Sequence, residues 1–310
     1  MRIVFLGSAD FGLPCLQRLR ADGHTIAGIV TTPPAPKGRG RKLTPSEVAV
    51  HARASGLGPI LEPASLKSPD VAAALSELGA DLFVVIAFRI LPESIFSIPP
   101  MGTVNVHASL LPRFRGPAPI QRAIEAGETR TGVTIFRIDR GVDTGGILAQ
   151  TGLDVGVEET TPQLRQRLSE LGARTLSGVV HDLEAGTSTP QPQDNTTACA
   201  APKLRKEESR IDWALPAPTI FNKMRAYKPF PGTSTTIEGA HVGIDWARPL
   251  DSEPSSQPPG TILRLTPEGF VAQCGVGALH VLQVKPENGK LMSADAYARG
   301  HRIHPGQRFA

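Results

Sequence analysis

The chain has 310 residues, is 40% hydrophobic and 20% charged, and carries a formal net charge of +4 at pH 7. This composition is typical of a folded protein, the length favours two domains, and no apolar run is long enough to span a membrane. The three cysteines are too few and too scattered for a disulfide framework or a metal knuckle. Because the N-terminus also lacks the features of a signal peptide, we expect a cytoplasmic protein with no membrane partner.

The positive charge is concentrated in the last third of the chain. Residues 201–310 contain 14 Lys and Arg against 10 Asp and Glu, whereas residues 1–200 contain 19 of each kind. This distribution favours a polyanionic partner for the C-terminal part, although an ordinary solvated surface would give the same counts.

The opening of the chain alternates between strand and helix. Residues 2–6 predict a buried strand, residues 7–12 a glycine-containing turn, residues 14–21 a helix, and residues 25–32 a second strand. This order resembles the start of a dinucleotide-binding fold. The glycines do not follow the GxGxxG spacing, however, so no nicotinamide cofactor is predicted.

A basic loop is predicted at residues 33–43, where three prolines and two glycines interrupt regular structure. The loop has no acidic residue and contains Lys37, Arg39, Arg41 and Lys42. Such a segment suits contacts with the phosphates of a nucleic acid, and a plain surface loop fits the sequence equally well.

A strongly apolar run at 81–87 predicts a central buried strand, after helices that end near residue 54 and span 69–79. The segment 86–92 follows at the carboxyl end of this strand. Its Phe88 and Ile90 can both be core residues, and we expect core packing for Ile90.

The segment 103–121, TVNVHASLLPRFRGPAPIQ, is where we expect the functional site. It begins as a short buried strand, and because side chains alternate across a strand, Asn105 and His107 share one face at its end. Open α/β sheets bind their ligands at such strand ends. The alternative for His107 is a core histidine that is hydrogen-bonded to the backbone.

A second polar element, the loop 139–146, follows a predicted strand at 132–138. With three glycines and two aspartates, Asp139 and Asp143, this loop can bring a carboxylate near an imidazole, and its spacing does not show which of the two. An amide donor, a histidine able to be cationic and an aspartate suit acyl transfer, because they can hold an oxyanion and move a proton.

Helices predicted at 119–126 and 161–184 flank strands predicted at 132–138 and 147–154. Together with the first half of the chain, they indicate a doubly wound, mostly parallel α/β sheet. The polar, proline-containing segment 185–200 has the composition of a linker. A helix is predicted after it at 217–226, and short strands separated by turn residues then favour a small β-barrel. These strands are predicted at 234–238, 241–247, 260–265, 269–274 and 277–283.

The motif NVHASLLPRFRGPAPIQ at 105–121, with DRGVDTGGIL at 139–148, resembles the folate-dependent formyltransferase family. The match covers essentially the whole chain, because the C-terminal part opens with APKL and IDW and closes with MSA and GHR, as the family's C-terminal barrel does. The resemblance implies a Rossmann-like catalytic domain at 1–188, a linker at 189–206 and an OB-like tRNA-binding domain at 207–310.

The resemblance also implies a reaction, which is transfer of a formyl group from the co-substrate 10-formyltetrahydrofolate to the amino group of methionyl initiator tRNA. We expect a monomeric enzyme that needs no metal. Catalysis would depend on Asn105, a protonated His107 and Asp143, and Arg89 stands where the family usually has glycine. The expected folate-binding residues are Ile86, Phe88, Ser109, Leu110, Leu111 and Pro112, and the expected tRNA-binding residues are Lys37, Arg39, Arg41 and Lys42.

Two other functions fit parts of the sequence. Formyltransferases that act on sugar amines or on glycinamide ribonucleotide can share the Asn, the His and the Asp, but the basic loop and the C-terminal barrel argue against them. A tRNA-binding protein that has lost catalysis is the alternative outside the enzymes, and the complete set of three polar residues argues against that.

Overall fold

The computed structural model describes residues 1–37, 40–250 and 256–310. These residues divide into two compact units, and residues of the predicted linker belong to both. The first unit consists of Met1–Pro119, Arg130–Asp154 and Leu164–Ala201, and the second of Ile120–Thr129, Val155–Gln163 and Pro202–Ala310.

The first unit is built on a mixed β-sheet. Its strands are β1 (Arg2–Gly7), β2 (Thr25–Val30), β3 (Ala35–Lys37), β4 (Lys42–Thr44), β5 (Ile60–Leu61), β6 (Leu82–Ile86), β7 (Thr103–His107), β8 (Arg130–Arg137) and β9 (Ile147–Asp154). Within the described residues, seven of them form one sheet in the order β5-β2-β1-β6-β7-β8-β9. The first five in this order are parallel, β8 pairs antiparallel with β7, and β9 pairs antiparallel with β8. The predicted mostly parallel sheet is therefore confirmed.

The central strands are apolar because both of their faces are covered. All five residues of β6, LFVVI, are buried, and so are five of the six residues of β1. An uninterrupted apolar run of this kind is typical of a parallel strand between layers of helices. The helices of the described chain are α1 (Leu13–Ala21), α2 (Glu47–Ala54), α3 (Pro69–Glu77), α4 (Glu93–Phe96), α5 (Pro119–Glu125), α6 (Thr161–Glu184), α7 (Ala217–Ala226) and α8 (Ala294–Gly300).

Local sequence explains where several helices begin. The Ser46 side chain accepts the backbone N–H of Ala49 at 3.0 Å and so caps α2. Proline opens α3 and α5, where its missing N–H would have no helical partner in any case. The predicted helices at 161–184 and 217–226 agree with α6 and α7. No helix in the described part of the chain is both long and apolar enough to cross a membrane.

The basic segment 33–43 is more regular than predicted. Its two sides form a short antiparallel hairpin, in which Ala35 pairs with Thr44 and Lys37 with Lys42. Prolines are tolerated because a two-stranded hairpin has open edges on which a backbone N–H is not needed. Residues 38 and 39, and with them the predicted contact Arg39, lie outside the described residues.

The second unit contains an antiparallel barrel, as predicted. Its strands are β10 (Ser234–Ile237), β11 (Ala240–Leu250), β12 (Ile262–Thr266), β13 (Gly269–Gln273), β14 (Ala278–Pro286) and β15 (Met292–Ser293). The described strands follow the order β10-β11-β14-β13-β12, and β15 pairs with β14. The last residues of the chain close the barrel, because Phe309 bridges to Ile237 on one side and Arg308 bridges to Thr261 on the other. The Phe309 ring also stacks on Trp213 inside the barrel, with ring centroids 5.0 Å apart.

Candidate active site

Three parallel strands end together at the edge of the sheet where the central motif lies. Strands β1, β6 and β7 are neighbours, so Ser8, Ala87 and His107 lie at one edge. The Ser8 hydroxyl donates to the carbonyl of Ala87 at 3.1 Å. This edge is the place where an open α/β sheet is able to bind a ligand.

His107 is buried at the end of β7, with 7% of its side chain exposed. Its Nε2 lies 2.9 Å from the carbonyl oxygen of Phe114. Because a carbonyl can only accept, Nε2 carries the hydrogen of this bond. The other ring nitrogen, Nδ1, lies 3.6 Å from Oδ2 of Asp143. The alternative of a core histidine that is hydrogen-bonded to the backbone therefore accounts for Nε2 only. The other ring nitrogen, Nδ1, faces a carboxylate.

Burial sets the protonation state of His107. The pKa of the imidazole is lowered from 6.5 because removing the ring from water penalises the cation, and Asp143 and the Phe114 carbonyl oppose this shift without cancelling it. The resting ring is therefore neutral at pH 7, with a lone pair on Nδ1. The protonated His107 that the sequence led us to expect is disfavoured in the resting protein by the burial of the ring.

Asp143 reaches His107 from a loop that starts at the other end of the neighbouring strands, near the beginning of β7. Because β8 is antiparallel to β7, the chain leaves β8 beside Thr103, where the N–H of Ile138 donates to the Thr103 carbonyl at 2.8 Å. From Thr103 to His107 the strand covers about 13 Å. The loop crosses this span, and the N–H of Gly116 then donates to Oδ2 of Asp143 at 2.8 Å.

Close approach of the backbone makes this path possible. A Cβ on Gly145 would lie 1.7 Å from the carbonyl oxygen of Arg137, and a Cβ on Gly116 would lie 2.8 Å from that of Ala201. Gly116 also has a φ of +121°. Asp143 itself has a φ of +54°, a left-handed conformation that aspartate adopts more readily than most residues.

Asn105 lies between Val85 of β6 and Phe136 of β8 in the sheet. It is half-buried, and its carboxamide has no hydrogen-bond partner among the residues that the structure describes. It lies two positions before His107, so both side chains emerge on the same face, about 7 Å apart along the strand. The carboxamide N–H is therefore available to an oxygen of a ligand.

The turn after His107 is held in place by a residue on β8 and another on β9, and neither was predicted. Thr134 is fully buried, and its hydroxyl donates to the Ser109 carbonyl at 2.7 Å and accepts the Leu111 N–H at 3.0 Å. Gln150 donates from Nε2 to the Leu111 carbonyl at 2.8 Å and to the Thr134 hydroxyl at 2.9 Å. Thr134 stands opposite His107 in the β7–β8 ladder. Only a known strand register could have identified it.

The residues predicted to bind folate differ in exposure. In the turn, Ser109 and Leu111 are buried, and Leu110 and Pro112 are half-buried. Ile86, the last residue of β6, is fully buried, and Phe88, two positions further on, is half-buried against the core of the first unit.

Ile90 is 81% exposed, so the predicted core packing of this residue is wrong. The chain has by then passed the end of β6, and no sheet face is left there for the side chain to cover. Hydrophobic character alone did not show where the strand ended.

Arg89 occupies its position without a positive φ, which falls instead at Ala87, with +48°. The Arg89 guanidinium donates to the carbonyls of Pro63 at 2.8 Å and Ala64 at 3.0 Å. It also lies over the Phe88 ring, 5.3 Å from the centroid. Arg89 thus fastens the segment after β6 to a neighbouring loop.

The basic hairpin lies beside the same edge of the sheet. Lys37, Arg41 and Lys42 are exposed, and Lys37 forms an ion pair with Glu47. A cavity of about 220 Å³ lies between the hairpin and the end of β1 and is lined by Lys37 on one side and Ser8 on the other. These cations are therefore accessible next to the strand end, and the charge of Lys37 is partly offset by Glu47.

An amide donor, a buried imidazole and a carboxylate are thus present at the edge of a doubly wound sheet, which is the arrangement of an α/β enzyme for acyl transfer. The family described as "Formyl transferase" matches residues 1–180, and "Formyl transferase, C-terminal domain" matches residues 203–302. The chain belongs to the formyltransferase family.

Curated relatives match the chain over its full length. The methionyl-tRNA formyltransferase of Geobacter metallireducens is 40% identical over 310 residues, which cover 100% of this chain and 98% of that protein. The methionyl-tRNA formyltransferase of Xanthomonas axonopodis pv. citri is 43% identical over 312 residues, which cover 99% of this chain and 100% of that one. Among solved structures, the N-formyltransferase from Helicobacter canadensis in complex with folinic acid and dTDP-3-aminofucose is 16% identical with a TM-score of 0.67. The match covers 91% of this chain and 99% of that one, and it shows a shared fold.

Proposed function

We propose that this protein transfers a formyl group from 10-formyltetrahydrofolate to the amino group of methionyl initiator tRNA, giving formylmethionyl-tRNA for translation initiation. The observation that carries this proposal is the identity of 40% to a methionyl-tRNA formyltransferase across 100% of the chain. The polar residues at the edge of the sheet supply groups that suit the chemistry of the transfer.

The reaction forms a bond between the amino nitrogen of the methionyl group and the formyl carbon. The electron pair of the carbonyl double bond moves to oxygen during the attack and returns when the bond between the carbon and N10 of the folate breaks. The amine loses one proton and N10 gains one, so the reaction needs neither an oxidant nor a covalent enzyme intermediate.

Asn105 is assigned to the oxyanion and His107 to the proton. The carboxamide of Asn105, which has no partner within the described residues, supports the first role, and one such donor contributes about 2.7–4 kcal/mol in other enzymes. The neutral resting ring supports the second, because Nδ1 can accept the proton of the amine. Asp143, 3.6 Å away, stabilises the imidazolium that forms. The cation can then donate from Nδ1 to the oxyanion and return its proton to N10.

The folate is assigned to the two segments that flank these residues. Ser109–Pro112 begins two positions after His107. In the neighbouring parallel strand β6, Ile86 is the last residue, and Phe88 lies just beyond it. Since Ile86 is fully buried, it would act through its backbone and through the packing of the wall behind the ligand. Leu110, Pro112 and Phe88 are partly exposed and can contact an aromatic ring system directly.

The tRNA is assigned to the basic hairpin and the C-terminal barrel. Lys37, Arg41 and Lys42 support this role by their exposure, and Arg39 by its place in the same acid-free sequence. The barrel at 207–310 is assigned to the body of the tRNA, which the excess of Lys and Arg over Asp and Glu in residues 201–310 supports. The proposed catalytic domain at 1–188 and linker at 189–206 complete the chain.

We propose that the enzyme acts as a monomer in the cytoplasm, where charged tRNA is used. One chain carries Asn105, His107 and Asp143, so the proposed chemistry needs no second copy. Sedimentation of the purified protein at micromolar concentration tests the oligomeric state, and a stable dimer would contradict it.

The decisive experiment is transfer of labelled formyl from 10-formyltetrahydrofolate to purified methionyl-tRNA, with initiator and elongator species assayed in parallel. The expected result is label on the initiator species alone. Binding of folate with no label on either tRNA would leave the formyltransferase domain in place and refute the acceptor, and amino-sugar nucleotides would then be assayed as acceptors.

A further inference from the structure

Residues 191–201, called the strap here, have the composition of a linker but are tied to the first unit by backbone hydrogen bonds. Gln191 and Ile147 exchange two backbone bonds of 2.7 and 2.8 Å at the start of β9. Further along, the N–H of Arg115 donates to the Cys199 carbonyl at 2.9 Å, and the N–H of Ala201 donates to the Arg115 carbonyl at 2.6 Å. The strap therefore runs against both loops of the candidate active site.

The Gln193 side chain joins these two loops. Its Nε2 donates to the carbonyls of Asp143 at 2.9 Å and Gly145 at 2.8 Å. Its Oε1 accepts from Arg115, from Nε at 3.1 Å and from Nη2 at 2.6 Å. Arg115 also donates to the side chain of Asn195 at 2.8 Å. One carboxamide thus uses both of its ends to link the Asp143 loop to the turn after His107.

The position of Arg115 makes this link relevant to the chemistry. The residue before it, Phe114, supplies the carbonyl that holds Nε2 of His107. The residue after it, Gly116, supplies the N–H that holds the carboxylate of Asp143. Three consecutive residues therefore hold the imidazole, the strap and the carboxylate, and Gln193 fixes the middle one.

We infer that Gln193 is a positioning residue for formyl transfer, which fixes the Asp143 carboxylate against His107 by binding the Asp143 and Gly145 carbonyls and Arg115. The inference rests on the proposed function of His107 and Asp143. The Asp143 loop starts about 13 Å along β7 from His107. A loop of this reach needs an anchor near its tip, because a misplacement of about 1 Å can cost about a hundredfold in rate.

The test compares two variants within the strap. Gln193→Met keeps the length of the side chain and removes its donors and its acceptor. Gln191→Met is the matched control, because the only side-chain bond of Gln191 among the described residues is local, to the Thr189 carbonyl at 3.4 Å. The single-turnover rate of formyl transfer, with both substrates saturating, should fall about tenfold to a hundredfold in Gln193→Met and stay within about twofold in Gln191→Met.

A double-mutant cycle separates positioning from a general loss of structure. If Gln193 acts through Asp143, adding Gln193→Met to Asp143→Asn should lower the rate by no more than about twofold further. A double variant whose rate falls by the product of the two single-variant losses would overturn the inference.

A titration of His107 by NMR gives a readout that does not depend on the acceptor. Among the charged side chains of the described chain, Asp143 is the one whose field acts on His107, and it raises the pKa of the ring. Gln193→Met should therefore lower the pKa of His107, as Asp143→Asn does, and Gln191→Met should not. An unchanged pKa in Gln193→Met would overturn the inference.

The two proposals fail in different ways. If the unmodified protein transfers no formyl group to tRNA, the proposed acceptor is wrong and the titration alone decides the role of Gln193. If Gln193→Met does not fold, Gln193→Leu replaces it, because leucine likewise removes the donors and the acceptor and adds no charge that would shift the pKa of His107.

Discussion

Replacing Thr134 by valine should loosen the turn after His107 while leaving the shape of the core unchanged. Thr134 is fully buried, and its hydroxyl takes part in three hydrogen bonds, to Ser109, Leu111 and Gln150. Valine has the same branched shape but no hydroxyl. The bonds to the Ser109 carbonyl and the Leu111 N–H are buried, so these two groups lose a partner that water cannot easily replace.

The magnitude follows from these two groups. Each buried polar group that is left unpaired costs about 1–3 kcal/mol, so the free energy of unfolding should fall by about 2–6 kcal/mol. Gln150 adds little to this loss, because it is exposed overall and can turn its amide towards water. Since Ser109 and Leu111 belong to the proposed folate segment, the KM for the folate should rise severalfold while the KM for tRNA changes little.

Urea titrations and steady-state kinetics provide the assay, and Thr134→Ser is the control. Serine keeps the hydroxyl and lacks one methyl group, which should cost about 1 kcal/mol. It should therefore be more stable than the valine variant and should keep the KM for the folate. A valine variant as stable as the unmodified protein, or a serine variant with the larger loss, would refute the reasoning.

Three other predictions concern His107 and the basic hairpin. His107→Ala should abolish turnover while circular dichroism shows a retained fold, and near-normal activity would contradict the proposed mechanism. Arg39→Ala should raise the KM for tRNA but not for the folate, and a change in the folate KM alone would contradict the assignment of this basic segment. Binding of tRNA to the unmodified protein should weaken steeply between low and physiological salt, and a flat salt response would contradict a phosphate contact. Because the pKa of folded His107 lies below 6.5, the unfolded chain binds more protons as the pH falls below that value, and the free energy of unfolding should fall with it. Urea titrations from about pH 7.5 to about pH 5 should show a smaller fall in the free energy of unfolding for His107→Gln than for the unmodified protein. An equal fall in the two proteins would mean that another group causes the pH dependence.

Much of the fold could be predicted because its elements follow local patterns. The apolar run in β6, the proline and serine at helix starts, and the period of α6 are properties of neighbouring residues. Alternation along one strand was likewise enough to place Asn105 and His107 on the same face. Local patterns also have limits, since they did not predict the paired strands at 35–37 and 42–44 or the exposure of Ile90.

Contacts between distant segments could not be predicted in this way. Nothing in a threonine on β8 or a glutamine in a proline-rich polar segment indicates a role, because the backbone groups and the arginine that Thr134 and Gln193 hold are 23 to 78 residues away in the chain. The barrel shows the same limit, because its short strands were predictable but its closure by Phe309 and Arg308 was not.

The sequence by itself determined most of the helices and strands, the two-part organisation and the residues that carry the proposed chemistry. The tertiary structure alone decided that Nε2 of His107 is held by the Phe114 carbonyl and that burial keeps the ring neutral. It also decided that the loop after β8 runs back along the strands and brings Asp143 to face Nδ1. The physical reason is that side-chain identity and period are local, whereas solvent exclusion and hydrogen-bond partners depend on which distant segments are brought together.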